Sequence, residues 1–115
     1  MLARENRILK SADFRATIKG GRRVNSAHLV LYLKRVQGQP SARFGFVVSK
    51  AIGGAVQRNL VKRRLRELSR AHLALAVAGS DYVVRALPGI EDLDWNRLAT
   101  EFQEAFRQVD NRVGQ

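Results

Sequence analysis

Hydrophobic positions along the chain switch between a period of about two and a period of about 3.6, and each switch marks a change of element. The segment HLVLYLKR at 28–35 alternates, with Leu29, Leu31 and Leu33 on one face and His28, Val30, Tyr32 and Lys34 on the other. That pattern predicts a half-buried strand. GQPS at 38–41 turns the chain into a second alternation, with Phe44, Phe46 and Val48 opposed to Arg43, Gly45, Val47 and Ser49. Two antiparallel strands are the simplest expectation, and a shorter strand around Arg23 to Asn25 is faintly signalled. Upstream, Ser11 predicts the N-cap of a short helix over 12–19 that Gly20-Gly21 stops. Phe14 and Ile18 stand one turn apart in it.

From Ala55 the period is helical: Val61, Leu65, Leu68, His72 and Leu75 form an apolar stripe that faces the core. Gly79 ends the region, 81–87 (DYVVRAL) is a third clear strand, and Pro88-Gly89 closes it. Trp95, Leu98, Phe102, Phe106, Val109 and Val113 trace a last amphipathic helix with acidic residues in its first turn. The order is helix, two or three strands, helix, strand, helix, which predicts an α+β sandwich with helices on an antiparallel or mixed sheet. No repeat or linker interrupts the 115 residues, so one domain spanning 1–115 is expected.

Charge changes the picture from fold to function. The net charge is +11, which on so small a domain predicts a polyanionic partner, most commonly nucleic acid. Residues 1–25 carry seven basic and two acidic side chains and 50–70 carry seven and one, whereas 81–115 carry four and seven. In RNLVKRRLRE at 58–67, five of ten residues are basic. Helical geometry puts Asn59, Lys62, Arg63, Arg66 and Arg70 opposite the apolar stripe, with Arg58 and Arg64 flanking. A merely solvated helix mixes signs at i, i+4, but this one has Glu67 as its single acid. Asn59 adds a group that both donates and accepts, as sugar hydroxyls and base edges require. The face bearing Tyr32, Lys34 and Arg43 is a second candidate surface, because aromatic rings among cations suit single-stranded nucleic acid.

Other chemistries find little support. Cysteine is absent, which removes disulfides and thiolate metal sites, and His28 and His72 are too far apart to read as a ligand pair. His72 reads as a packed core histidine and His28 as a surface or sheet-face residue. Glu91, Asp92 and Asp94 read as helix-start acids rather than metal ligands, so no metal site in the protein is expected. SKAIGG at 49–54 resembles a phosphate cradle, with Lys50 and the helix N-terminus aimed at it, but lacks P-loop spacing. No N-terminal apolar stretch and no run of roughly 18 apolar residues is present, so a cytoplasmic, non-membrane protein is expected.

GFVVSKAIGGAVQRNLVKRRLRE, with SADF upstream and DYVVRALPG downstream, resembles the protein subunit of bacterial ribonuclease P over nearly the whole chain. The resemblance implies an αβββαβα fold with a left-handed crossover through the basic helix. It also implies an endoribonuclease that is a ribonucleoprotein, removing the 5′ leader of precursor tRNA with catalytic groups and Mg2+ in the RNA subunit and none in the protein. Arg58, Asn59, Lys62, Arg63 and Arg66 match the helix that contacts the catalytic RNA, and Arg70 continues that face. Phe14, Tyr32, Ser49 and Lys50 match the cleft for the single-stranded leader, and Arg85 extends it. The partners implied are the catalytic RNA and precursor tRNA, with no obligate protein partner. Two positions depart from the family pattern: Leu60 replaces the second arginine of an Arg-Asn-Arg motif, and Ile18 replaces a second aromatic. The alternatives are a non-enzymatic structural RNA binder of ribosomal type and, more remotely, a stand-alone metal nuclease.

Overall fold

The computed structural model describes residues 2–113, with side chains through Asp110, so the expectation for Val113 lies outside the described side chains. Its elements are α1 (Ser11–Gly20), β1 (Arg22–Asn25), β2 (Leu29–Arg35), β3 (Arg43–Val47), α2 (Ala55–Ala71), β4 (Ser80–Ala86) and α3 (Trp95–Val113), the αβββαβα order expected. Ser11 lies inside the first turn of α1, and Lys10 is the N-cap with no side-chain cap bond. The lysine carbonyl accepts from the N–H groups of Asp13 and Phe14. Gly21 follows as the chain packs closely: a Cβ there would collide with the Thr17 carbonyl and lie 2.8 Å from that of Leu33.

The sheet order is β1-β2-β4-β3, which corrects the expected direct pairing of β2 with β3. β4 enters between them, antiparallel to β2 and parallel to β3. The two parallel neighbours are joined through α2, as a parallel connection needs a crossover. Period-two alternation reports which way side chains point, not which strand lies alongside.

The two sheet faces carry different cores. Leu29, Leu31, Leu33, Phe44, Tyr82 and Val84 meet Val61, Leu65 and Leu68 of α2 and Leu98, Phe102, Phe106 and Val109 of α3. Phe44, Tyr82 and Phe106 stack, with Tyr82 ring centroids 4.8 Å from Phe44 and 5.1 Å from Phe106. The Tyr82 hydroxyl donates to Asp110 Oδ1 at 2.8 Å and accepts from the Val77 N–H at 2.9 Å. Burial pushes the phenol pKa up and raises that of Asp110 as well, the Tyr82 bond opposing the latter.

On the opposite face Ile8, Val30, Tyr32 and Val83 form a smaller cluster covered by Phe14 and Ile18 of α1. β2 is therefore buried on both faces rather than half-buried. The expected stripes also overshoot at two ends. α2 stops at Ala71, leaving Leu75 in a 3-10 turn with 72% of its surface exposed. Half-buried His72 packs its ring 5.2 Å from Phe102 and Phe106, which agrees with a packing role. Trp95, the first residue of α3, is 44% exposed. Helical side chains lean toward the N-terminus, so a first-turn residue reaches past the sheet. The acids precede the first turn, and Asp94 Oδ1 accepts the Arg97 N–H at 2.8 Å as an N-cap.

Candidate nucleic-acid interface

Strand register sorts the α1-side face into three rungs. Lys34, Asp81 and Arg43 make the first, Tyr32, Val83 and Gly45 the second, and Val30, Arg85 and Val47 the third. The first rung is an ion-pair network. Arg43 donates to Asp81 through Nε at 2.8 Å and Nη2 at 2.7 Å, and through Nη2 to Asp13 of α1 at 3.3 Å. Gln39 Nε2 adds a bond to Asp81 Oδ1 at 3.0 Å. The Asp81 bond, opposed by burial, raises the Arg43 pKa further. Arg43 thus faces a carboxylate, and the expected cationic surface at this rung is already neutralised.

The second rung holds the aromatic residues, but not equivalently. Tyr32 is 3% exposed and fills the small core, so its ring is floor rather than an open stacking surface. Phe14 remains partly exposed above Gly45. A Cβ at Gly45 would sit 2.5 Å from Phe14 Cε1, so only bare backbone admits the ring there. Ile18 is a partly buried neighbour of the same cluster, a packing residue as its chemistry suggests.

The third rung is the open end. Arg85 is exposed in an otherwise buried β4. Just past β3, Ser49 and Lys50 are exposed, held by a 3-10 turn that buried Ile52 anchors. Arg85, Ser49 and Lys50 therefore border the open end of the face, with Phe14 one rung further in over Gly45 and Tyr32 on that same rung. Gly54 is the N-cap of α2, and no side chain caps that helix.

The basic residues of α2 sort by exposure into an inner and an outer set. Arg58, Lys62 and Arg66 are half-buried on the side toward β3, and Asn59, Arg63 and Arg70 are exposed. Lys62 and Arg66 line a groove of about 230 Å³ with Arg7, Phe14, Gly45 and Phe46. Lys62 and Arg66, expected against the catalytic RNA, thus share a groove with Phe14, expected against the leader. Arg64 instead holds the fold, donating to the Leu93 carbonyl at 2.9 Å. Arg70 pairs with Glu67 at 3.2 Å. Arg58, Lys62, Arg63 and Arg66 make no ion pair among the described residues. Leu60 is 36% exposed and Val56 83%, one turn apart, so the motif's departure presents an apolar edge.

The face sets cations without ion-pair partners beside a partly exposed aromatic ring, and comparison with known proteins gives the family of the chain. The Ribonuclease P family model matches residues 2–110. The chain belongs to the ribonuclease P protein family. It is similar to the ribonuclease P protein component of Streptomyces avermitilis, at 45% identity over 95% of each chain. It is also 42% identical to that of Pseudarthrobacter chlorophenolicus, covering 98% of this chain and 83% of the relative. A solved Staphylococcus aureus RNase P protein mutant superposes with a TM-score of 0.85 at 28% identity, covering 91% of this chain and 88% of that one. Membership favours the ribonuclease P reading over the ribosomal alternative.

Sequence reasoning missed the N-terminal segment. Arg7 bridges to Phe44, the Ile8 N–H donates to the Phe44 carbonyl at 2.9 Å, and Asn6 Nδ2 donates to the Ala42 carbonyl at 2.9 Å. The run is too short to show a period, although Ile8 between Arg7 and Lys10 was the available signal. His28, on the opposite side, is half-buried against α3: its N–H and Nδ1 lie 2.7 and 2.9 Å from the Glu101 carboxylate. Burial raises the Glu101 pKa, but bonds from His28 and Ser26 outweigh it and hold the carboxyl below its usual range. Among the described residues no helix is long and apolar enough to cross a membrane.

Proposed function

We propose that this protein is the RNA-binding subunit of ribonuclease P, working in the cytoplasm with no obligate protein partner. The exposed row of α2, Asn59, Arg63 and Arg70, grips the catalytic RNA, while the face bounded by Phe14, Arg85, Ser49 and Lys50 holds the single-stranded 5′ leader of precursor tRNA. The observation that carries this reading is the cationic row of α2 lying beside a face whose one accessible ring, Phe14, rests on bare backbone at Gly45. Cations track the phosphate chain and an aromatic ring stacks a base, the combination single strands require.

The chain's contribution is binding and positioning. In this reading the magnesium ions are held by the RNA subunit, where they would supply the hydrolytic chemistry. Family membership supports the assignment to an RNA-processing ribonuclease. Reconstitution tests the division of labour: the protein with its catalytic RNA should release the leader from precursor tRNA at low magnesium, and RNA-free protein should not. Cleavage by the protein alone, or no effect of the protein on the RNA's reaction, refutes it. Within the holoenzyme Phe14→Ala should weaken precursor binding by about 1–3 kcal/mol and leave mature tRNA unaffected.

A further inference from the structure

We propose that Arg7, Lys62 and Arg66 form a seat for one backbone phosphate of the precursor's leader, in the groove between β3 and α2. This rests on the ribonuclease P reading and adds to it a binding residue, Arg7, and a second role for the inner row of α2.

The three side chains line one groove, and none of the residues lining it is acidic. Three cations drawn together without a counter-charge repel one another, and in a half-enclosed site the repulsion is less screened than on open surface. Arg7 sharpens the point: its Nε is buried and has no hydrogen-bond partner. A buried guanidinium N–H without an acceptor is costly unless something supplies one. Its backbone is fixed, because Ile8 bonds Phe44 at 2.9 Å and Asn6 bonds Ala42 at 2.9 Å on either side. The guanidinium is therefore presented from a rigid base, which lowers the entropic cost of closing on an anion.

The rest of the groove indicates the anion's class. Phe14 forms a wall and Leu9, beside it, is 55% exposed, so apolar surface adjoins the cations. A free inorganic anion has no use for that surface, whereas a nucleotide presents a base or sugar next to its phosphate. About 230 Å³ admits a phosphate with part of its sugar but not an RNA helix, which favours a single strand over the folded catalytic RNA. The outer residues lie on the adjoining, exposed side of the helix and stay free for the larger RNA.

Holoenzyme reconstituted with Arg7→Gln tests this by direct binding over a salt series. Affinity for precursor bearing a single-stranded leader should fall about ten-fold, the worth of one charge-assisted hydrogen bond, and the log–log salt slope should fall by about one. Mature tRNA binding and assembly with the catalytic RNA should stay within about two-fold, and Arg7→Lys should restore the slope. Should Arg7→Gln fail to fold by circular dichroism, Lys62→Gln reads the same seat and should give the same leader-specific change. An unchanged precursor affinity and slope overturns the seat while leaving the ribonuclease P reading intact. Loss confined to assembly reassigns the groove to the catalytic RNA and overturns it too. A wild-type holoenzyme that cleaves no precursor overturns both.

Discussion

The helices α2 and α3 lay their apolar stripes on the same core, yet they handle charge in opposite ways. On α3 the acids have local partners: Asp94 caps the helix, Glu101 holds His28, Glu104 accepts from Arg107 and Gln108, and Asp110 accepts from Tyr82. Of the cations on α2, Arg64 and Arg70 have partners within the described fold, and Arg58, Lys62, Arg63 and Arg66 do not. A charge compensated inside its own domain has done its structural task, whereas an uncompensated row is a claim on something outside. Both helices are amphipathic to the same eye, and the difference lies in the partners rather than in the period.

The largest expected effect falls on α3. Phe106→Ala empties the centre of the aromatic stack and should cost about 3–5 kcal/mol of stability, read by denaturant unfolding. The protein that remains folded should bind RNA normally; a selective loss of RNA affinity would erase the contrast between the helices. On α2 the order reverses. Arg63→Ala should leave stability within about 0.5 kcal/mol but lower the salt slope for catalytic-RNA binding by about one. Arg70→Ala should lower it less, since Glu67 already offsets that charge. An unchanged slope for Arg63→Ala would reduce the outer row to a solvated surface.

Smaller effects refine the account of α3. The Glu101 carboxyl is held below its ordinary value, so its contribution to stability is complete above the unfolded value near 4.5 and is lost as pH falls through the folded one. Glu101→Gln should therefore lower stability at neutral pH by about 0.5–1 kcal/mol and flatten the acid limb of the stability curve. A wild-type and variant curve that stay parallel down to acid pH would remove the His28 bond from the balance. Smallest of all, Arg107→Ala, at an exposed pair, should change neither stability by more than about 0.5 kcal/mol nor the RNA salt slope.

Much of this was readable from periodicity, because period is a local property. The helices and the three longer strands announced themselves, β1 only faintly, and the stripe of Val61, Leu65 and Leu68 located the face of α2 that is buried. What local pattern could not contain was pairing across distance. Arg43 reads as a free cation until β4 brings Asp81 beside it, and Tyr32 reads as an available ring until Ile8, Val83 and α1 close over it. The split of the basic face had the same origin. A helical wheel shows which residues lie away from the core but not which neighbour stands beside them, and here the N-terminal segment and β3 turn Lys62 and Arg66 into groove walls. Leu75 and Trp95 failed for a simpler reason, since a stripe continues in the sequence past the point where the partner surface ends.

The place of β4 has a consequence for synthesis. It is the last strand in sequence but sits between β2 and β3. A nascent chain that has emerged only as far as Gly79 can pair β1 with β2, but β3 then has only the short bridge from Arg7 and no strand beside it, with the whole of α2 already outside the ribosome. Throughout that interval a strongly basic, incompletely folded chain moves among polyanions. RNA that binds this open form competes with the sheet for it, and by mass action any affinity for the unfolded chain subtracts from the stabilisation RNA gives the folded one. Rapid insertion of β4, seven residues running from Ser80 to Ala86, thus decides whether the protein meets its RNA as a finished surface or as a polycation.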